Sequence, residues 1–154
     1  MNQIESFCID HEKLMPGLYV SRRDNLGGEV TTFDIRLLRP NKSNVFDTGA
    51  MHTIEHIGAT YLRNTIRRDE IIYFGPMGCR TGFYLVMFGQ LFPFDVLRLV
   101  KDMFSFIRDY TGEIPGATPK ECGNYSDQNL TGAKKAAESF VKLIEKGIET
   151  EYPR

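Results

Sequence analysis

Residues 51–62 constrain the fold more than any other stretch. Met51, Ile54, Ile57, Gly58, Tyr61 and Leu62 recur at helical spacing and together cover most of a helix circumference. A helix that is apolar on several sides must be packed on several sides, so this chain needs other layers around it. The sector left over holds His52, Glu55 and His56, which share one face at about 100° per residue, with the small Ala59 beside them. The central helix therefore carries a polar stripe with space next to it.

The neighbouring segments supply the layers. Val30 to Leu38 alternates, with Phe33, Ile35 and Leu37 on one face and Thr32, Asp34 and Arg36 on the other. That is the period of a strand with one wet face, and it points Arg36 away from the core. Pro40 ends this strand, a loop covers residues 41–48, and Asp47 or Thr48 is placed to cap the helix. Glu70 to Phe74 and Thr81 to Phe88 read as strands joined by the turn Gly75-Pro76-Met77-Gly78-Cys79-Arg80. Pro93 to about Tyr110 is an amphipathic helix, and Ala133 to Lys146 is another. Between them Gly112 to Asp127 is rich in Gly, Pro and polar residues, and predicts an ordered loop carrying Cys122. The order predicts an α+β fold, a mostly antiparallel sheet packed against helices. With 154 residues and 42% hydrophobic content, one domain over 1–154 is expected.

Charge and cysteine usage narrow the partners. Nineteen basic residues against twenty acidic ones leave no basic stripe, so neither nucleic acid nor an anionic membrane is expected as a partner. A polar, acid-bearing N-terminal stretch and the lack of any window near ~18 apolar residues predict a cytoplasmic protein. Cys8, Cys79 and Cys122 are odd in number and widely spaced, which argues against a disulfide framework and for metal or catalytic roles. Cys8, between Phe7 and Ile9, reads as core or interface.

His52-Thr53-Ile54-Glu55-His56 has the form H-x-x-E-H. Histidines at i and i+4 lie one above the other on a helix, a spacing that suits a shared cation, and the adjacent glutamate leaves a carboxylate at the metal's edge. Such a site needs a third protein ligand. Cys122, in the Gly-flanked loop Glu121-Cys122-Gly123-Asn124-Tyr125 that can bend it toward the helix, is the choice, since thiolate with imidazoles suits a late first-row divalent ion. Cys79 is the rival, and spacing does not choose between them.

Five separated motifs then carry a resemblance: HTIEH followed by RN, the turn PMGCRTGFY, the strand FDIR leading to PNK, the N-terminal SF with DH after it, and CGNY. In this order, from Glu5 to about Tyr125, the chain resembles the S-ribosylhomocysteine lyase (LuxS) family. The resemblance implies one divalent ion per chain held by His52, His56 and Cys122, Fe(II) natively and Zn or Co in purified protein. It frees Cys79 for chemistry and gives Glu55 and Cys79 the proton transfers. It also implies a homodimer with sites at the subunit interface, where Ser6, Phe7, His11 and Arg36 match residues that help to hold the substrate. Ser6 and His11 have no signal of their own and enter only through this resemblance.

The implied reaction cleaves the thioether of S-ribosylhomocysteine to homocysteine and 4,5-dihydroxy-2,3-pentanedione, the autoinducer-2 precursor. The carbonyl migrates along the ribose chain until β-elimination can expel the thiolate. The sequence departs from the family at Tyr73-Phe74-Gly75, where many members carry Asp-Ile-Ser, and also over Ser21 to Glu29 and in the stretch before Cys122, which affects loops more than chemistry. Two other readings are an H-x-x-E-H metallopeptidase, in which Glu55 would activate water, and a catalytically silent metal- or ligand-binding homologue. The peptidase reading explains HTIEH and none of the other four motifs.

Overall fold

A computed structural model describes residues 4–153. Its elements, in chain order, are β1 (Gly17–Asn25), β2 (Glu29–Arg36), α1 (Thr48–Leu62), β3 (Ile71–Pro76), β4 (Gly82–Phe88), α2 (Pro93–Asp109) and α3 (Leu130–Lys146), with 3₁₀ turns at Glu5–Phe7 and Arg68–Glu70. The strands form one antiparallel sheet in the order β1-β2-β4-β3. The expected α+β class and antiparallel sheet are what the chain adopts.

One face of the sheet builds the core. Phe33 and Ile35 of β2 and Phe83, Leu85 and Met87 of β4 are fully buried beneath the helices. Phe74 of β3 stacks on Phe83 with ring centroids 5.2 Å apart, and edge contacts continue from Phe83 to Phe104 and from Phe104 to Phe140. This aromatic column ties the sheet through α2 to α3. Helix α1 lies between β3, α2 and α3, as an apolar circumference demands. Its approach to the sheet depends on Gly58, where a Cβ would lie 2.6 Å from Phe74 Cε1. Asp47 is the cap: its side chain accepts from the Ala50 amide at 2.9 Å.

Three readings need correction. Strand β1 was not expected; its alternation fails at Ser21, where a bulge between Val20 and Arg22 shifts the register, so the period of two breaks midway. Of the two readings of Cys8, core or interface, core fails: the residue is exposed in this chain, with its thiol directed to Ile4 O at 3.6 Å. The second face of β2 is not wet: Asp34 is 1% and Arg36 3% exposed. Alternation assigns a side chain to a face, but it does not say whether another segment covers that face. Here the segment after α3 does, with Tyr152 stacked on Tyr19 at 4.7 Å and its hydroxyl on Asp34.

Candidate active site

Two clusters of reactive side chains flank the β3–β4 turn. The first sits on α1. His52 donates through Nδ1 to Asp127 O at 2.9 Å, and His56 donates through Nδ1 to Pro115 O at 2.6 Å. A carbonyl can only accept, so both Nδ1 atoms carry hydrogen, which leaves each Nε2 as the nitrogen that can present a lone pair to a cation. Those two Nε2 atoms are 2.9 Å apart, and Cys122 Sγ lies 3.4 Å from His52 Nε2. The three ligand atoms all fall within 4.8 Å of one another. Two imidazole lone pairs and a sulfur converging on one point repel each other unless a cation lies between them, so the residues fit a metal ion.

The loop of residues 112–127 makes this convergence. Ile114 O accepts from the Ala117 amide at 3.3 Å around Pro115 and Gly116, and Gly116 has φ +67°. Proline second and a left-handed glycine third is the pattern of a type II turn. It leaves the Pro115 carbonyl free to orient His56. Further along, the Cys122 amide donates to Thr118 O at 3.0 Å, which turns the thiol toward α1. Beside the histidines a cleft of about 290 Å³ is lined by Met51, His52, Glu55, Met77, Arg80 and Asn124, among others.

The second cluster sits on the opposite face of the sheet. Arg36 bonds Asp34 twice, Nε to Oδ1 at 3.1 Å and Nη2 to Oδ2 at 2.6 Å. Its Nη1 donates to Thr81 Oγ1 at 2.6 Å and faces Cys79 Sγ at 3.6 Å. The Thr81 hydroxyl thus accepts from Arg36 and shares a hydrogen bond of 3.1 Å with Cys79 Sγ, in which a thiolate accepts and a thiol can donate. Burial pushes the Cys79 thiol up, but the Thr81 hydrogen bonds and the Arg36 guanidinium outweigh it and hold the thiol below its ordinary range. The thiol is nevertheless exposed, so it can be reached. Burial pushes the Asp34 carboxyl up, with Arg36 and Tyr152 opposing it.

Ser6 lies on this same side, in a cleft of about 340 Å³ lined with Ser21, Arg22, Thr32, Tyr73 and Tyr84. His11 bonds Ile9 O through Nδ1 at 2.8 Å, and its charge opposes the upward push of burial on the Asp34 carboxyl. Phe7 is largely exposed. Glu55 lines the histidine cleft, and Tyr73, on the edge strand β3, has its hydroxyl pushed up by burial and then by the Glu55 carboxylate. The turn of residues 77–81 faces both ways: Gly78 and Arg80 line the histidine cleft, while Cys79 between them directs its sulfur to Arg36. Sequence reasoning missed Asp34, Thr81 and Tyr152. It had read Asp34 as solvated, and the other two have no pattern that marks them.

Comparison with known proteins agrees with this arrangement. The S-Ribosylhomocysteinase (LuxS) family model matches residues 4–151. The S-ribosylhomocysteine lyase of Finegoldia magna is 56% identical over 145 residues, 94% of this chain and 92% of that protein. The S-ribosylhomocysteine lyase of Phocaeicola vulgatus is 54% identical over 146 residues, 94% of this chain and 91% of its own length. That of Borreliella burgdorferi is 49% identical over 94% of this chain and 93% of its own. Identity at this level across nearly whole chains leaves a single family, and this chain belongs to the S-ribosylhomocysteinase (LuxS) family.

Proposed function

We propose that this chain works as a homodimeric lyase that splits S-ribosylhomocysteine into homocysteine and 4,5-dihydroxy-2,3-pentanedione. The observation that carries the reading is the convergence of His52 Nε2, His56 Nε2 and Cys122 Sγ beside the Glu55 cleft. The atoms of the substrate equal those of the two products, so no water or oxidant is consumed. A divalent ion held by His52, His56 and Cys122, natively Fe(II) with Zn or Co as substitutes, would supply Lewis acidity toward the sugar's carbonyl oxygen.

The protein's own groups move the protons. Each carbonyl shift removes a proton from a carbon beside a carbonyl and returns one to its neighbour, which needs a base on each side of the sugar chain. Glu55, a carboxylate in the histidine cleft, fits one role. Cys79, a thiol biased toward its thiolate by Thr81 and Arg36, fits the other. The last abstraction expels the homocysteine thiolate from the carbon β to the new carbonyl, and a protonated Cys79 or Glu55 can return the proton to it. Ser6, Phe7, His11 and Arg36 would hold the substrate.

Cys79 and the histidine cleft sit on opposite sides of the same turn, which motivates the dimer. In a two-fold assembly the far face of one subunit can meet the histidine cleft of the other, so that each site draws Cys79 and Arg36 from one chain and Glu55 from its partner. The direct test is release of free thiol from S-ribosylhomocysteine by the metal-loaded protein. Stoichiometric thiol together with the diketone supports the lyase; peptide cleavage with no thiol release would favour the metallopeptidase reading, and neither activity the silent homologue.

A further inference from the structure

The segment after α3 returns across the sheet. Leu18 donates its amide to Glu149 O at 2.9 Å, a parallel bridge that fixes the segment against β1. Three residues later the Tyr152 ring stacks on Tyr19, 13° from parallel, and its hydroxyl donates to Asp34 Oδ2 at 3.1 Å. Asp34 grips Arg36 through both oxygens, and only the remaining nitrogen, Nη1, is left for Thr81 and Cys79. A continuous chain of polar contacts therefore joins Tyr152 to the sulfur of Cys79.

We propose that Tyr152 is a positioning residue for the lyase reaction: through Asp34 and Arg36 it fixes the guanidinium nitrogen that faces Cys79. The inference rests on the assignment of Cys79 to proton transfer, and its test keeps the two apart. Arg36 Nη1 stands 3.6 Å from the sulfur, so a small rotation of the guanidinium loses the contact. The guanidinium follows the carboxylate that grips it, and the carboxylate is held from its far side by the Tyr152 hydroxyl. Without that hydroxyl, Oδ2 keeps an unfilled lone pair in a buried place, which favours a protonated Asp34 with one acceptor fewer for the fork. Tyr19 from β1, Tyr84 from β4 and His11 from the N-terminal loop also face this pair, with Glu149 beyond Tyr19. All of them stay in place when only the Tyr152 oxygen is removed.

Tyr152→Phe does that, since it keeps the ring and its stack on Tyr19. In the metal-loaded protein, iodoacetamide labelling of Cys79 is followed as a function of pH by site-resolved mass spectrometry, alongside steady-state kinetics. The expected result is labelling at neutral pH slowed by about threefold to tenfold, with the profile displaced to higher pH, as reactivity follows thiolate content. The kcat should fall in step with the labelling rate and by more than KM changes, while loss of one buried hydrogen bond lowers the melting temperature only modestly and leaves the fold and the metal content intact. Asp34→Asn should act in the same direction. Labelling of Tyr152→Phe at the wild-type rate at every pH overturns the proposal. Slower labelling with unchanged kcat overturns it differently, because the thiol is then positioned by Tyr152 but Cys79 takes no part in the reaction.

Discussion

Glu55 lines the histidine cleft and Cys79 lies in the turn beside it, yet neither belongs to the group that could hold an ion. Cys79→Ala should therefore retain its metal and lose turnover by about 10²- to 10⁴-fold, the usual loss for a positioned acid or base. Cys79→Ser should do little better, because a hydroxyl is far less acidic than a thiol. Glu55→Gln should keep shape and metal and lose activity likewise. Metal content with released thiol measures all three, and loss of the ion in Cys79→Ala would make that sulfur a ligand. The lowered Cys79 pKa also has a sign to test. Relative to an ordinary thiol at 9.0, labelling should develop at lower pH. By linkage, the associated stabilisation is present above the ordinary thiol value and disappears as pH falls through the depressed one. A labelling profile centred at or above 9.0 would contradict this arrangement.

At the scale of elements, α1 and the loop of residues 112–127 act together, because each histidine of the helix is oriented by a loop carbonyl. His52→Ala, His56→Ala and Cys122→Ala should each hold less than one equivalent of metal, whereas Cys8→Ala should hold a full one. The ligand variants should also melt at lower temperature, as should the wild type after chelation, since bound metal contributes folding free energy. A full equivalent in Cys122→Ala means that another residue completes the site. Gly58→Ala tests the packing beneath: overpacking against Phe74 costs about 1–3 kcal/mol, against about 1 kcal/mol gained in helix propensity. A net loss is expected in urea denaturation, and a gain would show that α1 can shift away from β3. Helix α1 and strand β4 were legible in the sequence because their apolar periods are unbroken, while β3 is placed despite a register shift between Ile71 and Tyr73 and runs through Gly75 and Pro76, which sequence reasoning assigns to the turn. Strand β1 was not, because its bulge resets the alternation at Ser21. The Pro115 and Asp127 carbonyls were illegible for another reason: every residue has a carbonyl, so side-chain identity does not mark which one will orient a ring.

Over the whole molecule, the two clusters make the subunit count testable. If each site takes Glu55 from one chain and Arg36 from the other, a mixed dimer of Arg36→Ala and Glu55→Ala has one doubly damaged site and one intact site. Random exchange puts half of the chains in mixed dimers with one working site of two, so about a quarter of wild-type activity should return. No recovery after verified subunit exchange would place both residues in the same subunit's site. The buried Asp34–Arg36 pair complicates that variant, because Arg36→Ala strands a carboxylate at a cost of about 3–5 kcal/mol. Asp34→Asn combined with Arg36→Met relieves it and gives the same exchange test on a sounder fold. The resemblance visible in five motifs implies this level of organisation, while composition and periodicity say nothing of it, because they describe only one chain's interior.

The turn of residues 77–81 has a mechanical consequence. It is short, closed by Met77 N–H to Gly82 O at 2.9 Å and by Arg80 N–H to Met77 O at 2.9 Å, and Arg80 occupies φ +59°. A turn closed in this way is expected to move as a unit, so a molecule that shifts its backbone at Gly78 and Arg80 should also displace the Cys79 sulfur on the opposite side. Occupancy of the histidine cleft should thus be audible at a distance as a changed rate of thiol labelling, even for a compound that never touches sulfur. A set of cleft-binding compounds with graded affinities should shift that rate at concentrations that track their dissociation constants, and a rate indifferent to saturation would show that the turn is slack.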